Sequence, residues 1–205
     1  MDENIELLRR EFPGNARDVE KALHSVFAFL GEDINREGLS ETPARMVRSW
    51  KRIFGGYLIK PEEVLTFFKE DNVIPKGQII LLKDIEFYST CEHHFLPFVG
   101  TCHVAYIPSN RIVGISKLAR VVEIYSRRLQ IQERISNQVT EALMKHLDAL
   151  AAACIIEAKH YCMICRGVEK QNSVMVTTSF KGEFLINPSA RQELITLIRT
   201  GNSSF

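Results

Sequence analysis

The chain has 205 residues, of which 45% are hydrophobic and 25% charged, and its 26 Lys and Arg residues nearly balance 25 Asp and Glu residues. This near-neutral charge argues against a surface for nucleic acid or acidic membranes, because such partners normally meet a basic excess, and no apolar run approaches the roughly 18 residues that span a bilayer. Since the amino terminus has no apolar signal segment and the five cysteines fit a secreted disulfide framework poorly, we expect a cytoplasmic protein that binds neither nucleic acid nor membranes.

The first 60 residues are predicted to form a helical region. Apolar residues recur at helical spacing over 19–30, after Asn15 as a favourable N-cap. A second helix is predicted to begin with Thr42 as N-cap and Pro43 in its first turn, and to end at Gly55. We therefore expect a helical appendage over residues 1–60 and a catalytic domain over residues 61–205.

From about residue 79 the composition becomes typical of strands. Strands are predicted at residues 79–88, 100–107, 111–115, 153–163 and 173–180. Residues 108–110, Pro-Ser-Asn, predict a tight hairpin between the second and third of these strands. Free edges of such a sheet must be covered, charged or paired, so pairing with other subunits is a reasonable hypothesis.

Helical periodicity covers residues 116–150 and, after the last strand, residues 189–200, where Gly201 is expected to end the helix. The apolar stripe of the longer stretch breaks between Leu129 and Ile135, which indicates a kink or two helices. The order of elements predicts an α+β fold with an antiparallel sheet and helices on one face.

Cysteine and histidine residues concentrate in two short segments, 91–94 and 160–165. Cys91 and His94 are three residues apart and can bind one ion if the backbone turns between them, since both are good zinc ligands. If residues 160–165 form a strand, Cys162 lies on the same face as His160 and Cys165 points away. The pattern offers three metal ligands, Cys91, His94 and Cys162, with His93 and His160 nearby and unliganded.

Two kinds of zinc site fit these residues. Three ligands leave a fourth position open for a water whose pKa falls to about 7, which is the catalytic pattern. Adding Cys165 instead completes a closed structural Cys3His site. The strand alternation and the two spare histidines favour the open site.

Several known motifs are missing from the sequence. There is no H-E-x-x-H metalloprotease motif, and the zinc deaminase pattern is not matched. No P-loop or G-x-G-x-x-G motif occurs either, so any nucleotide phosphates must be held by side chains.

Candidate phosphate ligands are Ser116, Lys117 and Arg120 at the start of the long helical stretch, Arg166 after the second cluster, and Arg45 on the second helix. Each cation alone could equally be a solvated surface charge. Glu133, beside Gln132, is ambiguous in the same way, although a carboxylate can accept both N1–H and N2–H of guanine. Cys102 and Cys154 are expected to be buried core thiols, and His103 a structural or surface residue.

Four segments together resemble the GTP cyclohydrolase I family, zinc hydrolases of cyclic amidine C–N bonds that open tetrahydrofolate and pteridine biosynthesis. These segments are residues 35–46, 89–108, 113–135 and 160–168, and they occur in the family's order and spacing. The resemblance implies the tunnelling fold (T-fold) over residues 61–205 and a toroidal homo-oligomer, typically a decamer, with sites at subunit boundaries. It also implies conversion of GTP and water into formate and 7,8-dihydroneopterin triphosphate.

The resemblance also implies a role for each site residue. The zinc ligands would be Cys91, His94 and Cys162. His93 would protonate the purine nitrogen, and His160 would manage the protons of the attacking water. Guanine would be read by Glu133 with Gln132, and the triphosphate held by Ser116, Lys117, Arg120, Arg166 and, from a neighbouring subunit, Arg45.

Two other functions compete with this one. The first is a nitrile reductase of the same fold, which uses a cysteine nucleophile and a nicotinamide cofactor, and its motif is not visible in the sequence. The second is a catalytically silent assembly protein that zinc stabilises.

Overall fold

The computed structural model describes residues 10–69 and 77–200. The chain divides into two compact units, Met1–Ile59 and Lys60–Phe205. No helix within the described ranges combines the length and the hydropathy that a membrane span needs.

The first unit contains helices α1 (Ala16–Phe29) and α2 (Thr42–Ile53), followed by a 3₁₀ helix (Gly55–Leu58). Asn15 caps α1 as predicted, because its side-chain oxygen accepts the N–H of Arg17 at 3.0 Å. Thr42, however, is the first helical residue of α2 and not its N-cap. Its N–H already bonds to the carbonyl of Leu39 at 2.9 Å, and its hydroxyl donates to the carbonyl of Gly38.

The second unit holds the remaining elements. Its helices are α3 (Pro61–Val64), α4 (Ile115–Ser126), α5 (Gln132–Leu147), α6 (Tyr161–Ile164), α7 (Glu183–Ile186) and α8 (Pro188–Thr200). Its strands are β1 (Phe67–Lys69), β2 (Ile80–Cys91), β3 (Pro97–Ile107), β4 (Arg111–Val113), β5 (Leu129–Gln130), β6 (Ala151–His160) and β7 (Met175–Gly182). The predicted helix end at Gly201 lies outside the described residues.

Five of these strands form one sheet in the order β5-β2-β3-β6-β7. Strands β2, β3, β6 and β7 pair antiparallel with one another, as predicted. The short β5 instead pairs parallel to β2, through Thr90 with Leu129 and Cys91 with Gln130. Strand β5 lies at the predicted break in the long helical stretch. The structure confirms that this stretch consists of two helices, α4 and α5. A strand of two residues has no periodicity that a sequence pattern could reveal.

The predicted hairpin at residues 108–110 is wrong. Strand β4 pairs with β1, with Val113 opposite Phe67. It cannot join β3, because both edges of that strand are already hydrogen-bonded, one to β2 and the other to β6.

Helices α4 and α5 pack on one face of the sheet and bury the main core. This core includes Val121, Val122, Ile135, Val139 and Leu143 from the helices and Val104, Tyr106, Cys154 and Ile156 from the strands. Each buried Val, Ile or Leu side chain in this core stabilises the fold by about 1.5–3 kcal/mol. The α+β class therefore agrees with the prediction.

The opposite face is covered at one end by α7 and α8. Phe184 and Leu194 of these helices pack with Ala105, Ala151 and Ala153, whose side chains alternate with those of the main core along β3 and β6. Helices therefore cover both faces of the sheet, whereas the sequence predicted them on one face, and they bury a second, smaller core.

Two cysteines, Cys102 and Cys154, are free and fully buried in the main core, as expected. Their sulfur atoms are 3.4 Å apart. Burial raises the pKa of the Cys154 thiol well above its usual range, so this pair consists of inert core thiols.

Candidate metal centre

The turn between β2 and β3 brings the first two candidate ligands together. The N–H of Cys91 donates to the carbonyl of Leu96 at 2.8 Å, and the N–H of Phe95 donates to the carbonyl of Cys91 at 2.9 Å. Phe95 has a φ of 57°, a left-handed conformation that reverses the chain. As a result the Cys91 sulfur lies 3.9 Å from Nδ1 of His94. The backbone therefore makes the turn that two ligands at this spacing require.

The third candidate ligand comes from the end of β6. Phe98, near the start of β3, pairs with His160, the last residue of β6, so the two cysteine segments meet at one end of the sheet. The ligand atoms of Cys91, His94 and Cys162 all lie within 4.8 Å of one another. Three ligand atoms this close together could hold one metal ion.

Cys165 lies outside this three-ligand group. Residues Tyr161–Ile164 form a helical turn, so the predicted strand ends at His160, and strand alternation does not determine where Cys162 and Cys165 point. Cys165 is exposed, and its thiol donates to the carbonyl of Tyr161 at 2.9 Å.

The surroundings of Cys162 favour its neutral thiol. Burial raises the pKa of the Cys162 thiol, and the nearby Cys91 sulfur raises it further, while the charge of Arg166 acts in the opposite direction. A bound divalent ion would overcome this shift, because it stabilises the thiolate directly. Two sulfurs and an imidazole are a donor set that suits zinc.

His160 is held on two sides. Its ring stacks on Phe98 with centroids 4.5 Å apart and planes 5° from parallel, and its Nε2 lies 2.8 Å from Oε1 of Gln132. Burial lowers the pKa of His160, and the charge of Glu133 partly opposes this shift. The imidazole is therefore neutral near pH 7 and able to accept a proton.

His93 lies on the same turn as the first two ligands and is exposed to solvent. Its Nδ1 is 3.9 Å from the Cys91 sulfur, and its ring meets the His94 ring edge-on with centroids 6.2 Å apart. An exposed imidazole beside the cluster is accessible to a substrate.

An ion pair that the sequence analysis missed anchors this turn. Arg134 of α5 contacts both carboxylate oxygens of Glu92, at 2.5 and 3.0 Å. The hydrogen bond from Arg134 lowers the pKa of Glu92. Glu92, between Cys91 and His93, was visible in the sequence as an acidic residue. Its partner Arg134 is 42 residues away, so no local sequence pattern could predict the ion pair.

The two candidate guanine ligands have different environments. Glu133 is exposed in the first turn of α5, whereas the adjacent Gln132 is fully buried. Of these two residues only Glu133 is exposed to solvent, so Gln132 and Glu133 do not form one recognition surface.

The candidate phosphate ligands lie on separate elements. Ser116, Lys117 and Arg120 are in the first turns of α4, and Ser116 is exposed. Arg166 is exposed directly after the cysteine turn. Arg45 belongs to α2 in the first compact unit, where its guanidinium donates to Glu41 at 3.0 Å.

An α+β domain whose Cys-His-Cys group could hold a metal ion, with His93 beside it and His160 two residues before Cys162, has the features of a metalloenzyme. The sequence model of the family described as GTP cyclohydrolase I matches residues 19–199. The chain belongs to this family, which confirms the expected T-fold and the expected class of enzyme.

Two relatives in sequence support the same assignment. A Pseudomonas aeruginosa protein named GTP cyclohydrolase 1 2 is 49% identical over 183 residues, covering 88% of this chain and 99% of that protein. GTP cyclohydrolase 1 of Wolinella succinogenes is 47% identical over 181 residues, covering 88% of this chain and 96% of its own length. Among solved structures, the apo form of the archaeosine synthase QueF-Like is 14% identical with a TM-score of 0.44, covering 53% of this chain and 97% of that one.

Proposed function

We propose that this chain hydrolyses GTP at C8 of the purine, releasing formate and, after rearrangement of the ribose and ring closure, 7,8-dihydroneopterin triphosphate. The observation that carries the proposal is the group of Cys91, His94 and Cys162, which could hold a metal ion. His160, two residues before Cys162, is held in a fixed orientation by Phe98 and Gln132. A hydrolase needs such a pairing of an electrophilic centre with a proton acceptor.

The three ligands would hold a zinc ion. When bound, zinc would supply Lewis acidity that lowers the pKa of a water to about 7. Of the five cysteines, the buried Cys102 and Cys154 and the exposed Cys165 take no part in this site.

Two histidines would move the protons. His160 accepts a proton from the attacking water, since its lowered pKa keeps the imidazole neutral. The exposed His93 protonates the purine nitrogen, which makes the imidazole ring of GTP electron-poor enough for attack at C8. The ring then opens, and the formyl carbon leaves as formate.

Other side chains would hold the nucleotide. The exposed carboxylate of Glu133 accepts N1–H and N2–H of guanine. Cations together with a helix N-terminus suit the triphosphate, and these ligands are Ser116, Lys117, Arg120, Arg166 and, from a neighbouring subunit, Arg45.

The assembly would be a toroidal homodecamer. Strand β7 pairs only with β6 among the described strands, which leaves one edge of the five-stranded sheet available, and Val176 on this strand is 56% exposed. An unpaired edge with exposed apolar residues favours pairing with another subunit. Light scattering should give the mass of ten chains, and a monomer mass would contradict this assembly.

The chain would consist of a helical region over residues 1–60 and a catalytic T-fold domain over residues 61–205, which the compact-unit boundary after Ile59 supports. We place the protein in the cytoplasm, where reducing conditions suit its free cysteines.

The decisive test is incubation of the purified protein with GTP. We expect formate release and the ultraviolet and fluorescence changes of pterin formation, loss of both with a chelator, and recovery with zinc. A zinc-loaded protein that binds metal but releases no formate would instead be a silent assembly protein. His160→Ala should keep zinc and GTP binding but stall hydrolysis, and normal formate release from this variant would remove His160 from its role.

A further inference from the structure

Gln132, the first residue of α5, is fully buried although it was expected to contact guanine. Its side-chain amide makes four hydrogen bonds within the protein. The amide nitrogen donates to the carbonyls of Ile156 and Met175, both at 3.0 Å, and to the Thr177 hydroxyl at 3.1 Å. The amide oxygen faces Nε2 of His160 at 2.8 Å.

The orientation of this amide follows from its partners. The carbonyl oxygens of Ile156 and Met175 can only accept hydrogen bonds, so the nitrogen of the Gln132 amide must face them. Its oxygen must then face His160. An amide oxygen can only accept, and therefore Nε2 of His160 must carry the hydrogen.

We propose that Gln132 is a positioning residue that holds His160 in the Nε2–H tautomer and so leaves Nδ1 as the nitrogen that accepts a proton. The consequence for turnover rests on the proposed function, in which His160 takes a proton from the attacking water. The tautomer itself rests only on the hydrogen bonds of Gln132.

Two restraints together define the ring of His160. Stacking on Phe98 sets the plane of the ring, and the hydrogen bond from Nε2 to Gln132 sets its rotation within that plane. Gln132 is in turn bonded to β6 through Ile156 and to β7 through Met175 and Thr177. The proton acceptor is thus supported by regular secondary structure, which preorganises a site better than a loop does.

This network also argues against direct recognition of guanine by Gln132. The two hydrogens of its amide are shared among three acceptors, so none is left for a ligand. The exposed Glu133 remains the candidate for that contact.

The test is magic-angle-spinning ¹⁵N NMR of the zinc-loaded full chain labelled with [¹⁵N]histidine. The His160 signals are assigned from their absence in His160→Gln. We expect Nε2 of His160 to be protonated and Nδ1 to be bare in the wild type. In Gln132→Met, both tautomers should be populated, because Nε2 has lost its acceptor.

Kinetics of the same variant provide a second readout. Gln132→Met should lower kcat by about tenfold or more, by analogy with the loss of partners that orient metal-binding histidines. Zinc content and KM for GTP should change by less than about twofold. Thr177→Val is the matched control, since it removes one acceptor near the amide nitrogen but leaves both carbonyls. This control should keep the tautomer and kcat of the wild type.

A bare Nε2 in wild-type His160 would overturn the proposal, and this measurement holds even where Gln132→Met does not fold. A raised KM with an unchanged tautomer in Gln132→Met would also overturn it and assign Gln132 to guanine binding. If the wild type releases no formate while Nε2 is protonated, the proposed function fails and the tautomer assignment stands.

Discussion

Arg134 contacts both carboxylate oxygens of Glu92 and so ties the β2–β3 turn to helix α5. The backbone N–H of Glu92 also donates to the carbonyl of Gln130 at 3.1 Å. Since Glu92 lies between Cys91 and His94, these bonds hold the ligand-bearing turn in its bent conformation before any ion binds.

Arg134→Gln should weaken zinc binding by about tenfold, because the loss of a group that orients metal ligands typically costs 10–100-fold in affinity. The global stability should change little, since the pair is partly exposed and solvent screens it. Competition with a chromophoric chelator measures the affinity. Lys181→Gln, which breaks the ion pair with Glu141, is the control, and equal zinc affinities in both variants would contradict this role of Arg134.

Cys165→Ser should retain one zinc per chain, because the exposed Cys165 thiol lies outside the three-ligand group and bonds to Tyr161. Cys162→Ser should lose the metal, since it removes one of the three ligands. The zinc content of each variant is measured by elemental mass spectrometry after gel filtration, and the two values are compared. Loss of zinc from Cys165→Ser would support the closed Cys3His site.

The sequence predicted those features of the structure that depend on neighbouring residues. The cap at Asn15 and the break before α5 follow from local spacing and were both found. The proximity of Cys91 and His94 required only that the chain turn between them, and it does.

Two features that depend on partners distant in sequence could not be predicted. The pairing of β4 depends on whether the edges of β3 are free, which no local pattern reveals. The burial of Gln132 depends on carbonyls of β6 and β7 that lie 24 and 43 residues away. A polar residue in the first turn of a helix is ordinarily exposed, so this network had no signal in the sequence.

Glu133→Ala should raise KM for GTP roughly 10–100-fold, because hydrogen bonds to a charged group contribute about 1.5–3 kcal/mol. Zinc content should be unchanged, since Glu133 is not among the three candidate ligands. Steady-state kinetics and metal analysis give the two quantities. Glu141→Ala, on the same helix but bonded to Asn137, should have wild-type KM, and unchanged kinetics in Glu133→Ala would remove this residue from the site.

His103 should make the protein sensitive to acid. Burial lowers the pKa of His103, and the carboxylates of Asp84 and Glu157 oppose this only in part. The backbone N–H of Asp84 also donates to Nδ1 of His103, and protonation of Nδ1 would break this hydrogen bond. Below the unfolded value near 6.5, the unfolded chain binds a proton that the folded chain excludes, so stability falls as the pH falls. Between about pH 7.5 and 5.5, urea unfolding should show a smaller loss for His103→Gln than for the wild type, by at most about 1.4 kcal/mol per pH unit. Parallel pH profiles would contradict this role.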